Sequence, residues 1–317
     1  MNPPSFNAVN YSLRPSKTIQ RGLVFEGLRQ MQDRLDWRRA TYIGLGSIWF
    51  TDFILAHKVL GLNRMVSIEA HQIGYRRALF NKPYRFVQVK EGLSYDVIPE
   101  LFQNPNMQRN PVIVWLDYDS RLKAEMLDEL RDLIGRLPAA SVLLTTFDAS
   151  DGKYGDAPDE VLNDLTDLFG TDATASLERR DARKLNLGST LADLVSNVMT
   201  DTSRRISRPG GCLPAFRAVY RDKATMVTVG VVLPGDQDAS AVEKLVRAKT
   251  WPALLMKPIL APHLTAKEVA VLQAKLPART ALTRARIRAL GFDLEEEQIA
   301  AFSDFYRHYP TFAQIIS

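Results

Sequence analysis

The sequence predicts an α/β protein on a Rossmann-like, doubly wound and mostly parallel sheet, ending in an antiparallel hairpin and extended by helices at both termini. Three observations predict it. A short apolar strand, Thr41-Tyr-Ile-Gly-Leu45, runs through Gly44-x-Gly46 into an amphipathic helix. A second apolar strand, Met65-Val-Ser-Ile-Glu69, closes on a carboxylate. Apolar runs then alternate with amphipathic segments to about residue 150, the pattern of strands covered on both faces by helices.

Taken in order, residues 1–16 are rich in Pro and Asn and read as an extended arm. Ser16 is placed to cap a helix over 17–35, with Ile19, Leu23, Leu28, Met31 and Leu35 as its apolar face. Strands are expected at 41–45, 64–69, 84–89, 111–117 and 141–147, with helices at 49–60, 72–80, 93–102 and 122–136 between them. A Gly/Asp-rich loop, 148–158, has the length of a ligand loop or lid. Helices follow at 158–169 and 188–205, then strands 214–220 and 224–232, spaced by Arg-Asp-Lys as a hairpin. The tail from 240 reads as largely helical, with a cap-and-acid pair at Thr265-x-x-Glu268. The organisation expected is an N-terminal arm and helix (1–35), a Rossmann-like domain (36–235) and a mainly helical C-terminal extension (236–317).

At 317 residues, 46% hydrophobic and 24% charged, the chain has the composition of a globular protein with a sizeable core. The net charge of +5 permits a phosphorylated or polyanionic partner without requiring one. A single cysteine, Cys212, rules out an internal disulfide. No apolar run approaches the ~20 residues of a membrane span, and the N-terminus lacks a signal pattern, so a cytoplasmic location and no membrane partner are expected.

Chemistry-bearing residues concentrate at strand ends. Gly44 and Gly46 let the backbone approach a ligand, or make a plain tight turn; Glu69 can accept both hydrogen bonds of a ribose diol, or be a solvated strand end. Asp117 and Asp119 follow the fourth strand; alternatively Asp119 and Ser120 cap the helix after it. Arg14, Lys17 and Arg21 cluster in the first helix region as candidates for a substrate phosphate or carboxylate, for nucleic-acid phosphates, or for a solvated arm. Arg204-Arg205-x-x-Arg208 and Arg284-x-Arg286-x-Arg288 share that ambiguity. His57, His71, His263 and His308 lack metal-ligand spacing, and Cys212 lacks an activating setting.

Glu91-Gly-Leu-Ser-Tyr-Asp-Val-Ile-Pro99 after strand three and Trp115-Leu-Asp-Tyr-Asp119 at the end of strand four narrow the reading. With Gly44-x-Gly46 and Glu69, this run resembles the class I S-adenosylmethionine-dependent methyltransferases, most nearly the small O-methyltransferases, over residues 36–235. The resemblance implies that Gly44, Gly46 and Ser47 line the cofactor loop, Glu69 binds the ribose and Ser94 sits near the adenine; His71, two residues after Glu69, is placed either to stack near the adenine or, more often for such a residue, to make a helix-start contact. It places Asp117 at the methyl-transfer centre, where it orients or deprotonates the acceptor. It implies S-adenosylmethionine as cofactor and transfer to an oxygen or nitrogen of a small or macromolecular acceptor. In metal-dependent relatives an Asp and an Asp-Asn pair hold a divalent cation; here Asp117 and Asp148 are present but Ala149 replaces the Asn, and no metal is assigned.

Two departures matter. The usual acid two residues before the first glycine is Tyr42, and the third glycine is Ile48. The missing acid would hold the methionine end of the cofactor; Asp52 lies in the next helix. These departures motivate an alternative, a degenerate methyltransferase fold that binds protein or nucleic acid in a bacterial defence or modification system. Its C-terminal extension would dock a partner or a second copy. A nicotinamide-dependent dehydrogenase is disfavoured, since a pyrophosphate needs glycine where Ile48 stands.

Overall fold

The computed structural model describes residues 14–45, 47–278 and 280–310. Helix α1 (Pro15–Gln32) leads into β1 (Thr41–Leu45), α2 (Thr51–Leu60), β2 (Met65–Glu69), α3 (Gln72–Asn81), β3 (Val87–Glu91), α4 (Ser94–Leu101) and a short α5 (Pro105–Arg109). Next come β4 (Val112–Arg121), α6 (Ala124–Arg136), β5 (Ser141–Asp148), α7 (Pro158–Phe169), α8 (Thr171–Thr174), α9 (Lys184–Arg205), β6 (Leu213–Arg221) and β7 (Thr225–Leu233). Helices α10 (Ala239–Val246), α11 (Ala266–Gln273), α12 (Arg284–Ala289) and α13 (Glu296–Phe305) complete the described chain.

The sheet runs β3-β2-β1-β4-β5-β7-β6. Pairing is parallel from β3 to β5; β7 runs antiparallel to both β5 and β6, so the expected hairpin is present with one reversed strand. Strand side chains alternate between two cores, as the pleat requires. Val112, Val114 and Leu116 face the core built with α4, α6, α7 and α9, whereas Ile113 and Trp115 face the one built with α1, α2, α3 and α10. Helix α6 shows why the segments are helical: Leu127, Leu130, Leu133 and Ile134 recur at helical spacing and are all buried.

Several boundaries differ from expectation, each for a local reason. Strand β3 starts at Val87, because Tyr84 and Phe86 stack on each other at 5.1 Å and lie against His57 of α2, holding that stretch off the sheet. Helix α2 starts at Thr51 because Phe50 adopts a left-handed backbone, φ 49°. Ser16 is buried within α1 instead of capping it. Its N–H and that of Lys17 donate to the Asp222 carboxylate at 2.9 and 3.0 Å, so the hairpin turn caps the helix. Asp119 and Ser120 do not cap α6, because β4 continues to Arg121 and the helix begins at Ala124.

The tail is less uniformly helical than expected. Between α10 and α11 an extended strip pairs along the β6 edge, bridging Leu254 to Arg217 and Ile259 to Tyr220. Pro252, Pro258 and Pro262 in this strip lack a backbone donor and disfavour helix. Thr265 and Glu268 do form the expected reciprocal cap of α11. Helix α1 and the tail share a third core, in which Ile19 and Leu23 meet Tyr220, Ile259, Phe302 and Tyr309. Most of the 1–16 arm lies outside the described residues.

Candidate functional site

Crossovers leave β1 and β4 in opposite directions along the sheet, one toward β2 and the other toward β5. Such a reversal opens a crevice at the carboxyl ends of the two strands. Gly44 sits on its β1 side. A Cβ there would lie 3.1 Å from Asp52 Oδ2 and 3.2 Å from the Tyr42 and Phe53 rings, so a side chain would crowd all three. Gly46 lies outside the described residues. Ser47 opens a turn: its Oγ accepts from Trp49 N–H at 3.3 Å and its carbonyl accepts from Phe50 N–H at 3.2 Å.

Tyr42, at the place of the missing acid, is fully buried, with its ring edge-on to Phe53 at 5.1 Å. Its hydroxyl donates to Asp52 Oδ2 at 2.6 Å. A carboxylate thus reaches the crevice from α2. Burial pushes the Asp52 carboxyl up from its ordinary range, while the positive charge of Arg21 pulls it back.

Glu69 ends β2, part-buried. One carboxylate oxygen accepts from His71 N–H at 3.0 Å. A Cβ on Gly74 would lie 2.7 Å from the Glu69 carboxyl carbon, so the glycine provides the cradle in which this side chain lies against α3. Burial raises the Glu69 pKa, and the nearby charge of Asp119 adds to the rise. His71 makes the helix-start contact that its position allowed, capping α3 by accepting from Ile73 N–H at 3.2 Å. Exposed apolar side chains stand where the chain leaves three successive strands: Trp49 in the turn after β1, Ile73 at the start of α3 after β2, and Leu93 and Tyr95 at the start of α4 after β3.

Asp117 lies mid-way along β4, two residues past Trp115, which pairs with Gly44, and on the sheet face that carries Trp115. Lys17 of α1 donates to both of its oxygens, at 2.8 and 3.2 Å, with the lysine side chain only 7% exposed. Lys17 and Asp117 were expected as separate candidates; the fold joins them. Arg21, one turn later in α1, is buried as well. Arg14 precedes α1, and its carbonyl accepts from the Thr18 N–H at 2.9 Å. Asp148 is engaged elsewhere, pairing with Lys153 at 2.7 Å, and Ala149 is buried in the core. Among the described residues no group of three or more His, Cys, Asp or Glu is arranged to hold a metal ion.

Ser94 requires a correction of direction. Its hydroxyl donates to Glu129 Oε2 of α6 at 2.9 Å, and Tyr118 donates to the same oxygen, so this side chain turns to the helix layer. Burial pushes the Glu129 carboxyl up. Beside it, a groove of 490 Å³ runs between α4 and α6, lined by Tyr95, Ile98, Glu129 and Leu133 among others. The Arg clusters serve structure: Arg208 donates to the carbonyls of Ile134 and Leu137, and Arg284 and Arg288 pair with Asp293. Burial pushes the Cys212 thiol up to about 12, which disfavours its thiolate.

Sequence reasoning missed Glu129, which looks like one more acid on an amphipathic helix, and the cap by Asp222. The replacement of the expected acid by Tyr42 was the one signal that pointed toward Asp52. The crevice therefore offers an acceptor for a diol at Glu69, a glycine-lined floor at Gly44, apolar walls and a carboxylate-ammonium pair at Asp117. An acidic strand end, a crowded glycine and exposed apolar side chains fit a nucleoside.

A family described as "Putative O-methyltransferase" matches residues 9–317. No curated protein matches the chain. Among solved structures, the O-methyltransferase TomG from Streptomyces achromogenes in complex with SAM is similar at 14% identity and TM-score 0.39, over 72% of this chain and 91% of that one. The O-methyltransferase from Bacillus cereus in complex with SAH has 14% identity and TM-score 0.42, over 71% and 84%. Trm1 from Pyrococcus horikoshii with S-adenosyl-L-methionine has 10% identity and TM-score 0.45, over 96% and 85%.

Proposed function

Because the chain belongs to this O-methyltransferase family along residues 9–317, we propose that it transfers a methyl group from S-adenosylmethionine to an acceptor oxygen at the crevice between β1 and β4. The observation that carries the reading is the placement of Glu69, at the end of β2, and Asp117, on β4, on the two strands that flank β1 and its Gly44. Glu69 accepts from the ribose hydroxyls, and the apolar side chains Trp49, Ile73 and Leu93 border the base. The cofactor supplies an electrophilic methyl on a sulfonium, whose C–S bond breaks as the C–O bond forms and whose sulfur keeps the electron pair.

Asp117 orients the acceptor hydroxyl and receives its proton, and Lys17 fixes the carboxylate in place. Rate enhancement then comes mainly from alignment of acceptor oxygen and methyl carbon. Calorimetry with S-adenosylhomocysteine tests the reading. Wild type should bind, and Glu69→Ala should weaken binding by about tenfold or more, from loss of charge-assisted hydrogen bonds. Absence of binding at about millimolar ligand, a free energy near 4 kcal/mol, defeats it.

A further inference from the structure

Buried polar groups of α1 are left unused by the ribose contact. Arg21 is only 6% exposed, yet its Nε has no hydrogen-bond partner among the described residues. Gln20 beside it is 1% exposed, with both amide atoms equally unpartnered among the described residues. Unsatisfied buried polar groups are costly, charged ones most of all, and their retention points to a ligand or ion that completes them.

Their position narrows the ligand. Arg21 follows Lys17 by one helical turn on the same face of α1, and Lys17 Nζ lies 2.8 Å from Asp117 at the crevice. Asp52 approaches from α2. Its Oδ2 is 2.6 Å from the Tyr42 hydroxyl and 3.1 Å from where a Gly44 Cβ would stand. Asp52 and Arg21 feel each other's charge but form no direct ion pair among the described residues. The crevice thus holds an acid and a base whose charges are not consumed by one another.

A ligand anchored by its ribose at Glu69 reaches this region with its other end. In S-adenosylmethionine that end carries one ammonium and one carboxylate. A carboxylate accepts hydrogen bonds from the first, and a guanidinium fork donates to the second. Resting on the function proposed above, we infer that Asp52 holds the ammonium and Arg21 the carboxylate of the cofactor's amino-acid end. The Tyr42 hydroxyl fixes the Asp52 rotamer, so strand β1 contributes an orienting group where an acid would otherwise bind directly.

The test compares two ligands by calorimetry on the full chain. S-adenosylhomocysteine carries the amino-acid end; 5′-methylthioadenosine shares the nucleoside and sulfur but ends in a methyl. Asp52→Asn and Arg21→Met should each weaken S-adenosylhomocysteine about 10- to 100-fold, the loss of charge-assisted hydrogen bonds. Both should leave 5′-methylthioadenosine binding unaltered, which also reports that the fold is intact. Tyr42→Phe should weaken only the first ligand, more mildly. Glu69→Ala should weaken both ligands, because it acts on the shared ribose. Wild-type affinity for S-adenosylhomocysteine in both Asp52→Asn and Arg21→Met overturns the inference while sparing the methyltransferase reading. So does parallel loss of both ligands in the two variants. Failure of wild type to bind S-adenosylhomocysteine removes both.

Discussion

Glu129 shows how a single buried acid records its surroundings. It is 7% exposed, Oε2 accepts from Ser94 and Tyr118, and Oε1 has no partner among the described residues. Burial raises its folded-state pKa above the ordinary value of 4.5. The folded protein therefore binds this proton more tightly than the unfolded chain does. Stability is lost as pH rises from the unfolded pKa through the raised folded one, and the penalty persists above it. Glu129→Gln removes that titration and can still accept at its amide oxygen. The variant should unfold at higher temperature than wild type near neutral pH, the advantage shrinking as pH falls toward 4.5. Thermal melts of both proteins across this range measure the difference, and a pH-independent gap would refute the assignment. Nothing in Met126-Leu-Asp-Glu-Leu130 marks this acid as buried, since its partners come from β4 and the start of α4.

At the level of elements, α1 is positioned by groups far away in sequence. Asp222, 206 residues from Ser16, receives the first N–H groups of the helix, and the Ser16 hydroxyl donates to Arg221 O at 3.0 Å. Asp222→Ala should cost about 1–2 kcal/mol of stability, as loss of an N-terminal cap does. Because Lys17 follows directly, the same variant should lower the methyl-transfer rate further than melting alone explains; unchanged kcat would show that the helix start does not position the lysine. The parallel strands were legible because each is a continuous apolar run, and the hairpin because two such runs flank a three-residue turn. The β3 start was not, because an aromatic stack with His57 outweighs the strand propensity of Tyr84 and Phe86. Gly44 and Glu69 were legible as strand-end residues, and Asp117 as an acid of the fourth strand. The Lys17–Asp117 contact spans 100 residues and carries no local signature.

Across the whole molecule, three cores meet on one sheet, and the third joins both ends of the chain. Tyr309 closes it. Its ring lies 5.0 Å from Phe302, while its hydroxyl donates to Pro262 O at 2.6 Å and accepts from Leu264 N–H at 3.2 Å. Tyr309→Ala should cost roughly 3–5 kcal/mol, typical of a buried aromatic truncation. Amide exchange should quicken in α11–α13 and in α1 together; acceleration confined to the tail would show that the two ends are not coupled. The strip along β6 also covers what would otherwise be a free sheet edge, where another chain could add a strand.

The capping of α1 by the turn between β6 and β7 has a consequence for biosynthesis. A ribosome makes Lys17 and Arg21 well before the hairpin whose turn anchors the start of their helix, since Asp222 lies 206 residues after Ser16. A nascent chain stopped before the hairpin can hold Gly44, Glu69 and Asp117, yet lacks the fixed cations that complete the crevice. On the proposed function, ligand capture should wait until translation has passed Asp222.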